Sequence, residues 1–295
     1  MAHQSVLLQE SIDGLDIVAG DIFLDGTFND GGHSIGVCRA LKQSIRIIGI
    51  DLDSDALAKA RERFIAEPCR IALHQENFRN LDRVLKDEGI DKVDAILLDL
   101  GFSSVQLEES GRGFSFKTDE PLLMTLAKNS EGLTANEIVN TWEQAPLETI
   151  IKHYGEERQA RRIAERIIEA RKEKPIETTS ELAEIISKAV GGRYGKIHPA
   201  TKTFQALRIT VNDEIEALRE GLEKGFEHLA PNGRFAVISF HSLEDRIVKR
   251  FFRAKAQEGR GQVITKKPIP ASAEELERNK RARSAKLRII KKLEL

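Results

Sequence analysis

The chain has 295 residues, 40% of them hydrophobic and 32% charged, enough for one large domain or two moderate ones with a substantial core. No apolar run approaches a membrane span and Met1-Ala2-His3-Gln4 opens nothing like a signal peptide, which excludes a membrane-spanning class and makes the cytoplasm the default compartment. Cys38 and Cys69 make neither a disulfide framework nor a metal site, and the net charge of −1 is unevenly spread: residues 246–295 hold 16 Lys/Arg against 5 Asp/Glu, a net of +11, leaving −12 on the remainder. A basic end on an acidic body can steer an RNA backbone. A solvated, partly frayed helical end accounts for the same charges.

His3 to Glu10 leads into a short amphipathic segment. The stretch Asp21–Asp51 then reads as strand, glycine loop, helix, strand and acidic end. Asp21 to Asp25 is apolar-rich and β-compatible. Gly26 to Ser34 is too glycine-rich for a regular element. A short helix is expected over Ile35–Leu41, and a second apolar strand, Arg46–Ile50, ends at Asp51. This is a βαβ unit suited to a nucleoside: Gly31 and Gly32 let a ligand approach the backbone, and a carboxylate at the end of the second strand can accept both ribose hydroxyls. The alternative is a sharp turn whose glycines only allow positive φ. The G-x-G-x-x-G dinucleotide pattern is absent, and Gly32-His33 stands where a P-loop needs Lys-Ser. The remaining ligand is a nucleoside without a polyphosphate, of which S-adenosylmethionine is the commonest.

Asp53-Ser54-Asp55 can cap a helix running to about Phe64, and Arg70–His74 reads as a third strand with Glu76-Asn77-Phe78 at its carboxyl end. Phe78 fits an adenine face and, equally, the core of the next helix. Val93–Asp99 is the strongest strand, running into Leu100-Gly101-Phe102-Ser103-Ser104-Val105-Gln106. There a carboxylate, a glycine and two serines form a plausible clamp for a methyl acceptor, with an Asx or serine turn as the bland reading. From Gly111 the βα rhythm stops. Helical patterns follow over Thr134–Trp142, Pro146–Tyr154, Glu156–Lys174 and Ser180–Val190, the third rich in arginines among glutamates, as i,i+4 pairing on a solvated face requires.

His198–Ile209 returns to the core, a helix over Glu214–Leu229 ends at the Pro231-Asn232-Gly233 turn, and Arg234–Phe240 is the fifth strand. Its end carries His241-Ser242-Leu243-Glu244-Asp245-Arg246, where Ser242 reads as a helix N-cap with Asp245 three residues on. Val263–Lys267 and Lys286–Leu293 supply the last two strands, and Pro268–Arg283 reads as polar, charged and mobile.

These residues resemble the RsmH (MraW) family of bacterial 16S rRNA cytosine-N4 methyltransferases. The likeness runs through HQSVLLQE at 3–10, DGTFNDGGHS at 25–34, LLDLGFSSVQL at 97–107, RGFSF at 112–116, YGEERQARRIA at 154–164, HPATKTFQALRI at 198–209, SFHSLEDRIVKRFF at 239–252 and RARSAKLRI at 281–289. It implies an α/β fold: a Rossmann-like methyltransferase core with a mostly parallel seven-stranded sheet, residues 1–106 and 205–295, and an inserted helical substrate-recognition domain, residues 107–204. It implies S-adenosylmethionine as cofactor, bound by Gly31, Gly32, His33, Asp51, Phe78, Asp99 and Gln106. It also implies 16S ribosomal RNA in the small ribosomal subunit as partner, methylated at N4 of a decoding-centre cytosine. Where the family usually continues P-L-D-M-R-M-D, this chain has Pro121-Leu122-Leu123-Met124-Thr125-Leu126-Ala127, and Val105 stands in place of a proline. Cofactor binding should survive these changes better than the usual substrate geometry.

A cytosine amine is a poor nucleophile, so catalysis is expected to rest on positioning and preorganised acceptors. Asp99 is the best-placed catalytic carboxylate, although holding the cofactor's amino acid part would suit it as well. Ser103, Ser104, His198, Lys202, His241 and Arg246 are the substrate-binding candidates. No Asp/His/Cys cluster suggests a metal, and the chemistry needs none. The sequence leaves the oligomeric state open, a homodimer included. Two rivals stay open: a methyltransferase for protein or small molecules, and a non-catalytic RNA-binding or ribosome-assembly factor that kept the fold.

Overall fold

The computed structural model describes residues 5–41, 45–101, 110–127, 132–192 and 198–294. The chain forms two compact units, Met1–Gly101 with Ile215–Leu295, and Phe102–Glu214. The second extends past residue 204, because the helix Thr201–Asn212 buries Phe204 and Leu207 in that unit's apolar core.

The first unit begins with helix α1 (Leu8–Leu15), then alternates β1 (Ile22–Asp25), α2 (Gly32–Leu41), β2 (Arg46–Asp51), α3 (Ser54–Phe64), β3 (Arg70–Gln75), a short 3₁₀ turn at Phe78–Asn80, α4 (Leu81–Asp87) and β4 (Val93–Asp99). The second unit contains α5 (Ala135–Thr141), α6 (Gln144–His153), α7 (Ala160–Glu173), α8 (Thr179–Ala189) and α9 (Thr201–Asn212). The chain then returns through α10 (Glu214–His228), β5 (Leu229–Ser239), α11 (Ser242–Gln257), β6 (Gly261–Val263), β7 (Ile269–Pro270), α12 (Ala273–Arg278) and β8 (Lys286–Lys292). The strands form one sheet in the order β3-β2-β1-β4-β5-β8-β6, with β7 pairing β8 as an eighth, two-residue member. β1 to β5 pair in parallel, and β8 is antiparallel to both neighbours.

Strands covered on both faces must be apolar throughout, and β1, β2 and β4 are buried almost along their length. Phe23, Ile47, Leu97, Ile238 and Ile289 face one layer, built on α1, α2 and α3. Leu24, Ile48, Ile96, Val237 and Ile290 face the other, built on α4, α10 and α11.

Several sequence expectations need correction. Gly32, His33 and Ser34 are not loop but the first turn of α2, which starts at Gly32 after Gly31 turns the chain with φ 78°. Pro231-Asn232-Gly233 does not separate helix from strand. It lies inside β5, where the register to β4 shifts between Val93 and Ala95 and Asn232 takes φ 67°. The N-cap of α11 is His241 with Glu244, not Ser242 with Asp245: the His241 side chain accepts the Glu244 N–H, and Glu244 accepts the His241 N–H in return. Pro268–Arg283 is ordered as β7, α12 and a 3₁₀ turn, and Glu275 accepts the Leu7 N–H at 2.9 Å. Cys38 and Cys69 do form a disulfide, Cα to Cα 5.8 Å, because α2 and the chain entering β3 converge on the same sheet face, 31 residues apart in sequence. At the family departure, Leu123 is exposed and Thr125 is buried, and the buried Arg112 donates to the Thr125 carbonyl at 3.1 Å.

Gly49 on β2 is packed tightly between two side chains. A Cβ there would lie 2.4 Å from Phe28 Cδ2 and 2.6 Å from Leu73 Cδ2. Overpacking of this kind costs about 1–3 kcal/mol. Gly49→Ala is therefore expected to lower stability by that amount in urea unfolding. An unchanged midpoint would show that Phe28 is free to move aside.

Candidate active site

β1 sits between β2 and β4 and stops short of both. Asp25 pairs with Gly49 and Leu97, so Asp51 and Asp99 each project two residues, roughly 7 Å, beyond it. They stand two strand spacings apart, roughly 9.5 Å. The strand order reverses at this point, and such a reversal opens a crevice at the carboxyl edge of a parallel sheet.

The glycine loop crosses the step. Gly26 donates its N–H to Leu97 on β4, Phe28 to Ile50 on β2, and Asn29 to Asp51 Oδ2 at 2.7 Å. Asp53 donates to the other Asp51 oxygen at 2.8 Å. Each carboxylate oxygen thus accepts one backbone N–H and keeps lone-pair capacity for a further donor. Gly31 and Gly32 serve this packing rather than leaving bare backbone: a Cβ at Gly31 would lie 2.6 Å from Phe64 Cε2, and one at Gly32 2.1 Å from Ser5 Oγ.

On the other side, Thr27 Oγ1 accepts the Asp99 N–H at 2.6 Å, and Asp99 Oδ1 accepts the Gly101 N–H at 3.1 Å. His33 is buried. Its Nε2 lies 2.9 Å from the Val6 carbonyl, which can only accept, so Nε2 carries the proton. Burial holds the His33 pKa below its usual value, leaving the ring neutral and Nδ1 an acceptor, 3.8 Å from Asp99 Oδ2. Two acceptors facing each other across this gap invite a donor with several hydrogens. Beneath them, Asp25 is 2% exposed and accepts the Ser34 hydroxyl at 2.7 Å. Burial raises the carboxyl pKa of both Asp25 and Asp51 to about 6.

The structure thus brings Gly31, Gly32, His33, Asp51 and Asp99 together. Phe78 is half-buried, beside Gly26 and against Gly221 of α10, where a Cβ would lie 2.5 Å from its ring. Ser103, Ser104 and Gln106, like His3, lie outside the described residues. His241 is occupied as the α11 cap, and Arg246 lies exposed one turn along that helix. In the helical unit, His198 stacks on Phe116 with ring centroids 4.5 Å apart, and Lys202 donates to the Glu156 carbonyl at 3.0 Å. Sequence reasoning missed Asp25, Thr27 and Ser34. The available signal for Asp25 was its place: like Asp51 and Asp99, it is the last residue of an apolar strand.

An open sheet in this order, with an antiparallel β8 and an acid-tipped crevice at the reversal, defines a Rossmann-like S-adenosylmethionine-dependent methyltransferase. The MraW methylase family profile matches residues 1–293, and the chain belongs to that family. A protein of Lachnospira eligens named ribosomal RNA small subunit methyltransferase H is 43% identical, the match covering 99% of this chain and 98% of the relative. Proteins of the same name from Clostridium botulinum and Brevibacillus brevis are each 44% identical, covering 99% of this chain and 99% and 98% of their own.

The buried carboxyls set a pH dependence. Asp25 and Asp51 ionise at about 6 when folded, against 3.8 when exposed. Their burial cost is absent below the unfolded value and fully present above the folded one, so it reduces stability as pH rises from about 4 to 6. Urea unfolding across this window should show the wild type losing stability relative to Asp51→Ala. A pH-independent difference would remove Asp51 from this account.

Proposed function

We propose that this protein transfers the methyl group of S-adenosylmethionine to N4 of a decoding-centre cytosine in 16S ribosomal RNA. The observation that carries the reading is the pair of projecting carboxylates, Asp51 and Asp99, on a chain that matches the rRNA methyltransferases end to end. Such a substrate places the working protein in the cytoplasm.

The crevice residues fit the cofactor. Asp51 would accept the ribose hydroxyls with its remaining lone pairs. Asp99 Oδ2 and His33 Nδ1, two acceptors 3.8 Å apart, would share the ammonium of the amino acid part. Phe78 would border the adenine side. When bound, S-adenosylmethionine supplies an electrophilic methyl on a positively charged sulfur. The rest is done by the chain. The cytosine amine delocalises its lone pair into the ring, so acceptors must hold its N–H bonds and return electron density to nitrogen. In-line placement accounts for much of the rate. Asp99 is the carboxylate nearest the segment that leads to Ser103, Ser104 and Gln106, and we assign to that segment the orientation of the base and the rest of the cofactor contact. The base must arrive unstacked. We assign RNA recognition to the helical unit, with His198 and Lys202, and to His241 and Arg246 on the core.

Incubating the protein with cofactor and small-subunit RNA, followed by mass analysis of the digested nucleosides, should reveal one N4-methylated cytosine. RNA binding without methylation would instead identify a non-catalytic assembly factor. Asp51→Ala should weaken cofactor binding by about 1.5–3 kcal/mol, the loss of a charge-assisted hydrogen bond. Wild-type affinity should also fall on acidification through about pH 6, where Asp51 takes up its proton. Calorimetry giving the mutant wild-type affinity would remove Asp51 from the ribose.

A further inference from the structure

The basic C-terminal segment is not uniformly free. Arg288, 6% exposed on β8, donates Nε to Asp245 at 2.6 Å, and Lys286 approaches the same carboxylate at 3.4 Å. Lys255 pairs with Glu223 at 2.7 Å and Arg260 with Glu227 at 2.6 Å. These cations serve the fold. Lys249, Arg253 and Lys266 form no ion pair among the described residues, and all three are exposed and line one cleft of about 410 Å³. Phe252 and Val263 give it an apolar floor, and Arg288 forms its fixed wall.

The cleft gathers like charges. Lys249 and Arg253 are four residues apart on α11, a like-charge spacing that destabilises a helix by a few tenths of a kcal/mol. Lys266 adds a third charge from the chain after β6. Also lining the cleft, Thr265 Oγ1 accepts the Ile289 N–H at 2.9 Å, which leaves its hydroxyl hydrogen for a further acceptor. Three cations and a hydroxyl donor around a cleft are complementary to an oxyanion of charge −1 or more. The position narrows the choice. β8 begins opposite Ser239, at the same sheet edge as Asp51 and Asp99, and lies two strand spacings, roughly 9.5 Å, from β4. The cleft reaches β6, one strand beyond β8 and three spacings, roughly 14 Å, from β4, so it is separate from the acidic crevice and suits a phosphate a few nucleotides along the strand from one held there.

We propose that the cleft between α11, β8 and the chain following β6 is a backbone-phosphate subsite for the RNA strand, with Lys249, Arg253 and Lys266 as its cations. The subsite rests on the RNA-methyltransferase reading above and adds a named phosphate site to it. It positions the strand and carries no sequence information, as phosphate contacts do.

The test uses the full chain with the Lys249→Gln, Arg253→Gln, Lys266→Gln triple variant. Its control, Lys59→Gln, Arg61→Gln, Lys86→Gln, removes the same charge from exposed positions on α3 and α4. Binding to a small-subunit RNA fragment is measured over a salt series, beside melting temperature and cofactor affinity. The cleft variant should bind roughly tenfold more weakly, with a log-affinity against log-salt slope shallower by about 0.7 for each phosphate no longer neutralised. The control should change little. Lys249→Arg with Lys266→Arg, which keeps the charge, should retain the wild-type slope. KM for RNA should rise while kcat and cofactor affinity hold. An unchanged slope in a folded variant, or an equal change in both triples, overturns the subsite. If the triple variant fails to fold, the single variants Lys249→Gln and Lys266→Gln carry the same readout. Wild-type protein that binds the RNA without methylating it overturns the enzymatic reading alone, since the slope comparison does not depend on turnover.

Discussion

Asp51 accepts two backbone N–H groups, from Asn29 and Asp53, and through them holds both the loop after β1 and the start of α3. A buried carboxylate is tolerated only when its oxygens are occupied in this way. The loop must therefore bend back over the end of β1, and Phe28 must lie across β2 at the one position that has no side chain, Gly49. Thr27 extends the same loop to β4 by capturing the Asp99 N–H. The step between β1 and its neighbours, which forms the crevice, depends on this set of bonds.

The crevice has an electrostatic character that selects its ligand. Three strand-terminal aspartates converge on it, and His33 is held neutral by its burial. Above pH 6 the field is negative. A polyphosphate would be repelled, and neither a P-loop lysine nor a dinucleotide glycine pattern is present to offset that. A nucleoside carrying a sulfonium and an ammonium suits the same charges. The burial that raises the aspartate pKa values costs stability, and the site keeps it because a preorganised acceptor does not have to be desolvated when the ligand arrives.

The C-terminal charges are sorted by the same physics. Where a cation is packed against aromatic rings or strands, as Lys255 is beside Phe226 and Phe251, a carboxylate neutralises it. Where it stands in solvent, no partner is required, and like charges can gather on one helix face. A net charge near zero therefore describes neither end of the molecule.

Much of the first unit was legible because hydrophobic period and chain punctuation act locally. Apolar runs closed by aspartate gave β1, β2 and β4, Asp53 announced α3, and the absent lysine excluded a P-loop. The family likeness named Gly31, Gly32, His33, Asp51, Phe78, Asp99 and Gln106 as one set; Gly31 to His33, Asp51 and Asp99 border one crevice, Phe78 packs against α10, and Gln106 lies outside the described residues. Contacts that depend on which surfaces face each other were not legible. Nothing local tells that Gly31 and Gly32 make room for Phe64 and Ser5, that Cys38 lies beside Cys69, or that His241 displaces Ser242 as a cap. The fate of each basic residue was equally hidden: Arg288 and Lys249 read alike in sequence, and only the sheet decided that Arg288 meets Asp245 while Lys249 faces an open cleft. Local sequence sets which backbone conformations are cheap and where polarity alternates. Pairing between distant side chains is decided by the register of β8 against β5, which brings residue 288 to within reach of residue 245.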